Sequence, residues 1–146
     1  MDSEFSFKIE SASAIKADAD EFYRSCGSAG AVDPTDILVR AFHNQRMVGN
    51  VRLCSENGCF VLRTMRIADH FQRRGLGSQI LKQIKELLSE RKIIKIYCIP
   101  YAHLEFFYGQ IGFRRISSNE APKFLQDRLK KMQLNHPQNS YILMAT

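Results

Sequence analysis

The chain contains no apolar run long enough to cross a bilayer, and Met1, Asp2, Ser3 and Glu4 carry neither the basic start nor the apolar stretch of a secretory signal. A soluble, cytoplasmic protein is the expectation. Cysteine is sparse: Cys26, Cys54, Cys59 and Cys98 show no CxxC spacing and no partnership with His43, His70, His103 or His136, which are scattered. That pattern offers no zinc site, and no metal is expected. Cys98 lies in an apolar stretch and reads as a small core residue rather than a nucleophile. Internal repeats, low-complexity tracts and linkers are also missing. The 146 residues are therefore expected to form a single domain spanning 1–146.

Several phosphate and nucleic-acid motifs are absent as well. There is no GxxxxGK[ST] loop, and Gly75-Leu76-Gly77 lacks the third glycine of the dinucleotide fingerprint, which argues against a nucleoside triphosphate or nicotinamide site. Gly109-Gln110-Ile111-Gly112 has the spacing of the GXXG loop of KH modules, but it holds no basic residue and runs straight into Phe113. No stripe of aromatics interleaved with Lys and Arg is evident, so nucleic acid is not an expected partner.

What is present is ordinary globular material, 45% hydrophobic and 25% charged. The formal net charge of +6 favours acidic partners in general, whether nucleic acid, an anionic membrane surface or a phosphorylated small molecule. Where the charge sits is more informative. Its densest short cluster beside glycines is Gln72-Arg73-Arg74-Gly75-Leu76-Gly77, which points to phosphate held by a loop.

Periodicity supplies the elements. Phe5 to Ile9 alternates like a short strand, and Ala12 to Arg24 has Ile15, Ala19, Phe22 and Tyr23 at helical spacing, as one helix or a broken one. Gly27 to Pro34 reads as a loop. Ile37 to His43, Met47 to Cys54 and Cys59 to Ile67 form a meander joined at Asn44-Gln45-Arg46 and Glu56-Asn57-Gly58. Ile80, Leu81, Ile84, Leu87 and Leu88 mark one face of a helix from about Gly75 to Arg91. Ile93 to Ile99 is a β-branched run typical of a strand buried on both faces, stopped by Pro100 and suited to a parallel crossover. Ala102 to Gln110 is helical, Gly112-Phe113 opens a strand, Pro122 begins a helix through Met132, and Tyr141 to Met144 closes the chain as a strand.

The arrangement that carries chemistry is a strand ending at Ile67, a loop from Ala68 to Arg74, and Gly75-Leu76-Gly77 opening a strong helix. The first amides of a helix have no intrahelical acceptor and sit at the positive end of its dipole, so they can cradle a pyrophosphate. Arg73 and Arg74 add a long-range pull.

On these residues the chain resembles the GNAT superfamily of acyl-CoA N-acyltransferases. Met65-Arg66-Ile67-Ala68-Asp69-His70-Phe71-Gln72-Arg73-Arg74-Gly75-Leu76-Gly77 is similar to the family signature, in which [Q/R]-x-x-G-x-[G/A] follows a strand. Phe107-Tyr108-Gly109-Gln110-Ile111-Gly112-Phe113 is a second family-like element. The resemblance spans nearly the whole chain, in outline only over the first 35 and last 30 residues.

The resemblance implies an α/β (α+β) fold: a central mixed, mostly antiparallel sheet of about six to seven strands flanked by helices, with a splayed parallel pair at its centre. It implies acetyl-CoA as acyl donor, with the pantetheine arm between the parted strands. Cofactor contacts fall to the backbone of Met65, Arg66 and Ile67 and to the loop Gln72, Arg73, Arg74, Gly75, Leu76, Gly77 and Ser78. Tyr101 stands where many relatives have an asparagine that contacts the pantetheine. Tyr108 resembles the tyrosine that protonates the departing thiolate. A phenol with pKa about 10 remains protonated at neutral pH, whereas the thiol has a pKa near 8.5.

No side-chain base for the amine emerges, because Val61, Arg63 and Met65 occupy one alternating face of the strand where some relatives carry Glu or His. A water chain linked to Glu105, His103 or a backbone carbonyl is left open as the route, beside the reading of these residues as ordinary surface or helix groups. Arg63 is expected either to hold a substrate carboxylate bidentately or to be solvated or internally paired. The expected function is acetyl transfer to a primary amine, favoured as a small carboxylated amine such as an amino acid, by direct attack in a ternary complex. The alternatives are a protein or peptide amine acceptor and a non-catalytic CoA-binding sensor. The expected partner is a small-molecule amine, without a membrane, and a homodimer is left open.

Overall fold

Seven strands and four helices alternate in the computed structural model, which describes residues 4–28 and 32–146. In chain order they are β1 (Ser6–Ser11), α1 (Lys16–Ser25), β2 (Ile37–His43), β3 (Arg46–Glu56), β4 (Cys59–Ile67), α2 (Leu76–Glu90), β5 (Tyr97–Cys98), α3 (Glu105–Gly109), β6 (Arg114–Ile116), α4 (Lys123–Asn135) and β7 (Leu143–Ala145). Short 3₁₀ turns precede α1 and α3, so the expected helix over 12–24 is indeed broken. The strands form one sheet in the order β1-β2-β3-β4-β5-β7-β6, antiparallel except for the parallel β4–β5 pair. Ala29, Gly30 and Ala31, in the middle of the expected 27–34 loop, lie outside the described residues, as do Met1 to Ser3.

Local chemistry accounts for the meander. Asn44 and Gln45 between β2 and β3, and Asn57 and Gly58 between β3 and β4, all take positive φ. Such pairs turn a hairpin with the twist of its strands. Alternation along the strands then sends side chains to two different layers. Val39, Ala41, Val51, Leu53, Leu62, Cys98 and Met144 pack with Ile80, Leu81, Ile84 and Leu87 of α2, and Phe107 and Tyr108 of α3 join this layer. On the opposite face Leu38 meets Phe22 and Tyr23 of α1, while Val61, Tyr97 and Leu143 meet Leu125 of α4. Each fully buried Leu or Ile contributes roughly 1.5–3 kcal/mol.

Two expectations are corrected. The strand expected over 93–99 shrinks to Tyr97–Cys98, and Ile94 is 87% exposed rather than buried on both faces. The reason lies in where its backbone bonds go: the Ile93 amide donates to Leu88 O at the end of α2, and Ile94 and Ile96 bond to Thr146. The second correction concerns β4. Arg52 faces Arg63 and Asn50 faces Arg66, so Thr64 and Met65 together span one position of β3. This bulge, with Thr64 at φ 54°, breaks the alternation. Met65 packs into the α2 layer, and Arg66 rather than Met65 rejoins the face of Val61 and Arg63.

Candidate active site

The parallel pair touches at one register position, Val61 beside Tyr97, and then parts. From Leu62 onward β4 has no strand partner on that side, which leaves an open backbone edge at the centre of the sheet. The parting produces a cleft lined by Val61, Leu62, Arg63 and Thr64 of β4, by Cys98, Ile99 and Pro100 after β5, by Tyr108 of α3, and by Arg128 and Met132 of α4. Because α3 and α4 cover opposite faces of the sheet, the cleft joins the two layers through the gap between β4 and β5.

On the α2 side lies the helix start at which the sequence expects a pyrophosphate. Gly75 caps α2 at φ 78°, a left-handed conformation that costs glycine little, and no side chain caps the helix. The first turn holds no acid, and the first intrahelical bond runs from Gln79 N to Gly75 O at 3.2 Å. The amides of Leu76, Gly77 and Ser78 are thus available to an anion. Gly77 is buried, and a Cβ there would lie 3.0 Å from Cζ of Phe107. A glycine at this position lets α3 seat against the start of α2.

The side chains around this helix start are arranged less simply. Arg73 is exposed at φ 61°. Arg74 pairs with Glu4 and lies over the rings of Phe5 and Phe71, which draws it toward β1. Gln72 donates to Ile67 O at 3.0 Å. A carbonyl has two lone pairs, so one remains at Ile67. Arg66 faces Asn50 on the α1 side of the sheet, away from α2. Tyr101 is exposed, bridges to Tyr141 and stacks on both Tyr141 and His103.

Tyr108 is half-buried, set edge-on against Phe107 and Phe113. Burial, and to a smaller extent nearby Cys98, raises its pKa well above the ordinary phenol value. It is a held proton, suited to a donor and unsuited to a base at neutral pH. Cys98 is buried and its thiol is likewise pushed up by burial, which removes it as a nucleophile. Glu105 lies 3.9 Å from Arg115, and neither Glu105 nor His103 lines the cleft. Arg63 lines the cleft and is internally paired, with Glu56 at 3.1 Å.

Sequence reasoning passed over Arg128, although Phe124, Arg128 and Met132 fall at i, i+4 and i+8 on one face of α4. A charge in line with two apolar residues was the available signal. Thr64 gave no such signal, since a bulge is a property of pairing. Among the described residues no group of three or more His, Cys, Asp or Glu is placed to hold a metal ion, and no helix is long and apolar enough to cross a membrane.

The family model for the acetyltransferase (GNAT) domain matches residues 12–133. The chain belongs to this family of acetyl-CoA-dependent acetyltransferases. Its fold is shared with Escherichia coli ElaA (TM-score 0.69, 13% identity, 97% of this chain and 98% of that one). It is shared too with a GNAT family acetyltransferase from Elizabethkingia anophelis with acetyl-CoA bound (0.62, 17% identity, 99% of each chain). The N-acetylglutamate synthase of Neisseria gonorrhoeae, complexed with coenzyme A and N-acetyl-glutamate, aligns at TM-score 0.63 and 14% identity over 96% of this chain. This chain spans only 34% of that enzyme. No curated protein sequence matches the chain significantly.

Proposed function

We propose that the protein acetylates the amine of a small carboxylated molecule, of the amino-acid class, by direct attack on acetyl-CoA in a ternary complex. The observation that carries this reading is the lining of the β4–β5 cleft, which has Arg63 and Arg128 as its charged groups and no carboxylate among the described residues. A guanidinium there favours an acceptor bearing a carboxylate and disfavours a polyamine. The cleft volume of about 170 Å³ is near that of a cavity that holds a benzene-sized molecule, which suits a small acceptor better than a folded one.

Each part of the chain has a task in this scheme. The amides of Leu76, Gly77 and Ser78 hold the diphosphate, and the open edge of β4 pairs with the pantetheine amides. Tyr108 keeps a proton at the cleft for the sulfur that leaves as the amine bonds to the acetyl carbon. The ammonium proton of the acceptor passes to water before attack, since the lining contains no carboxylate or imidazole among the described residues, and the second nitrogen proton, lost as the tetrahedral adduct collapses, returns through water to the phenol of Tyr108. That same lack of a base favours the second reading, a CoA-binding sensor without turnover.

The test is thiol release from acetyl-CoA with a panel of α-amino acids, polyamines and peptides, beside thermal melting with acetyl-CoA alone. We expect a raised melting temperature and turnover on amino acids. Stabilisation without turnover on any amine supports the sensor, and turnover confined to polyamines or peptides overturns the acceptor class.

A further inference from the structure

Two guanidiniums at the cleft share one carboxylate. Glu56, at the end of β3, accepts from Nη1 of Arg63 through Oε1 at 3.1 Å and from Nη2 of Arg128 through Oε2. Arg63 comes from β4 and Arg128 from α4, so Glu56 ties strand to helix at the mouth of the gap. Both arginines line the cleft and Glu56 does not. The cluster therefore carries one positive charge in excess on its cleft side. Nη1 of Arg128 is buried and has no hydrogen-bond partner among the described residues. A buried charged donor without a partner is costly, and an anion that supplies the missing acceptor relieves the cost. The guanidinium itself lies over the ring of Phe124, with Cζ 5.5 Å from the ring centroid, which limits its freedom to swing into water.

Resting on the carboxylated-acceptor reading above, we infer that Arg128 is the principal acceptor-binding residue: its partly exposed guanidinium, tied to that of Arg63 through Glu56, takes the carboxylate of the incoming amine, while Glu56 orients both guanidiniums. Glu56 thereby acts as a positioning residue and not as the missing base. The device explains why a cleft that must pass an amine is lined by cations. The shared charge of Glu56 leaves room for one carboxylate, so a monoanionic end group fits and a second anion at the same point is repelled. An acceptor bound in this way enters from the α4 face, opposite the diphosphate cup, and its amine reaches the thioester through the gap in the sheet.

The experiment uses the full chain, saturating acetyl-CoA and thiol release, with each α-amino acid compared with its α-carboxamide. For Arg128→Gln we expect the KM of the acid to rise about tenfold to a hundredfold, the range of a charged hydrogen bond. The KM of the amide should stay within about twofold, and the melting shift with acetyl-CoA should persist. Arg128→Lys, which keeps the charge and loses the fork, should fall between. If Arg128→Gln melts without cooperativity, the same acid–amide comparison on Arg128→Lys decides. Equal effects on acid and amide, or none on either, overturn the inference while leaving amino-acid acetylation standing. Acetylation of polyamines or peptides alone by the unaltered protein would instead remove the acceptor reading on which it rests.

Discussion

The hydroxyl of Tyr23, on the buried face of α1, donates to the backbone carbonyl of Thr64 at 2.7 Å, joining that helix to the bulge where β4 leaves β5. Thr64 is β-branched and left-handed, a combination that costs of order 1–3 kcal/mol and persists only when its surroundings hold it. Arg52 supplies the second hold, with Nη2 3.4 Å from Thr64 Oγ1 and Nη1 3.1 Å from Asp36. The parting of the sheet is thus secured from beneath by a buried polar network.

Tyr23→Phe keeps the ring and removes the donor. The expected loss is about 1–3 kcal/mol, because the Thr64 carbonyl is left without its partner. Urea denaturation of the two proteins measures it, and coincident midpoints would dispose of the pinning role.

Tyr108→Phe is expected to slow the chemical step by about a hundredfold or more, with acetyl-CoA affinity unchanged. Since burial raises the phenol pKa, Tyr108 keeps its proton through neutral and mildly alkaline pH. The kcat–pH profile should therefore show no alkaline limb near pH 8 that the substitution abolishes; single-turnover measurements from about pH 6 to 10 check both points.

The two glycines before and within α2 should fail differently. Gly75→Ala is strained by its positive φ and should cost about 1 kcal/mol of stability. Gly77→Ala meets Phe107 at 3.0 Å and should displace α3, weakening acetyl-CoA binding about tenfold and lowering turnover through Tyr108. Calorimetric titration with acetyl-CoA separates them, and equal affinities for both variants and the parent would contradict this account.

Acid should release the Glu56 tie. Burial raises the Glu56 pKa, but the hydrogen bond and charge of Arg128, followed by those of Arg63, outweigh it and hold the carboxyl below its ordinary value of 4.5. A folded pKa below the unfolded one means that the stabilisation is fully present above pH 4.5 and is lost as pH falls through the folded value. Unfolding free energies of the parent and Glu56→Gln should converge on acidification below that point. Parallel pH curves would show that Glu56 contributes no linkage.

Much of this was legible in the chain. The apolar period of 80–88 announced α2, and the Asn44-Gln45 and Asn57-Gly58 turns announced the meander, because both rest on neighbours a few residues apart. The extent of β5 was illegible, since Ile93, Ile94 and Ile96 are good strand residues whose backbone is claimed by Leu88 and Thr146. The diversion of Met65 depended on Val51 facing two residues of β4. Arg128 was hidden because its partner, Glu56, lies 72 residues away.

Residue order alone pointed to the unpaired amides at the start of α2, for a left-handed glycine followed by a helix without a side-chain cap leaves them without an intrahelical acceptor wherever it is put. It determined also which residues were suited to lie inside. Only the tertiary structure decided what the cleft is made of: which strand edge stays unpaired, and which arginines meet at Glu56. Backbone conformation answers to near neighbours, whereas the charge and shape of a cleft are sums over groups distant in the chain that packing alone brings within reach.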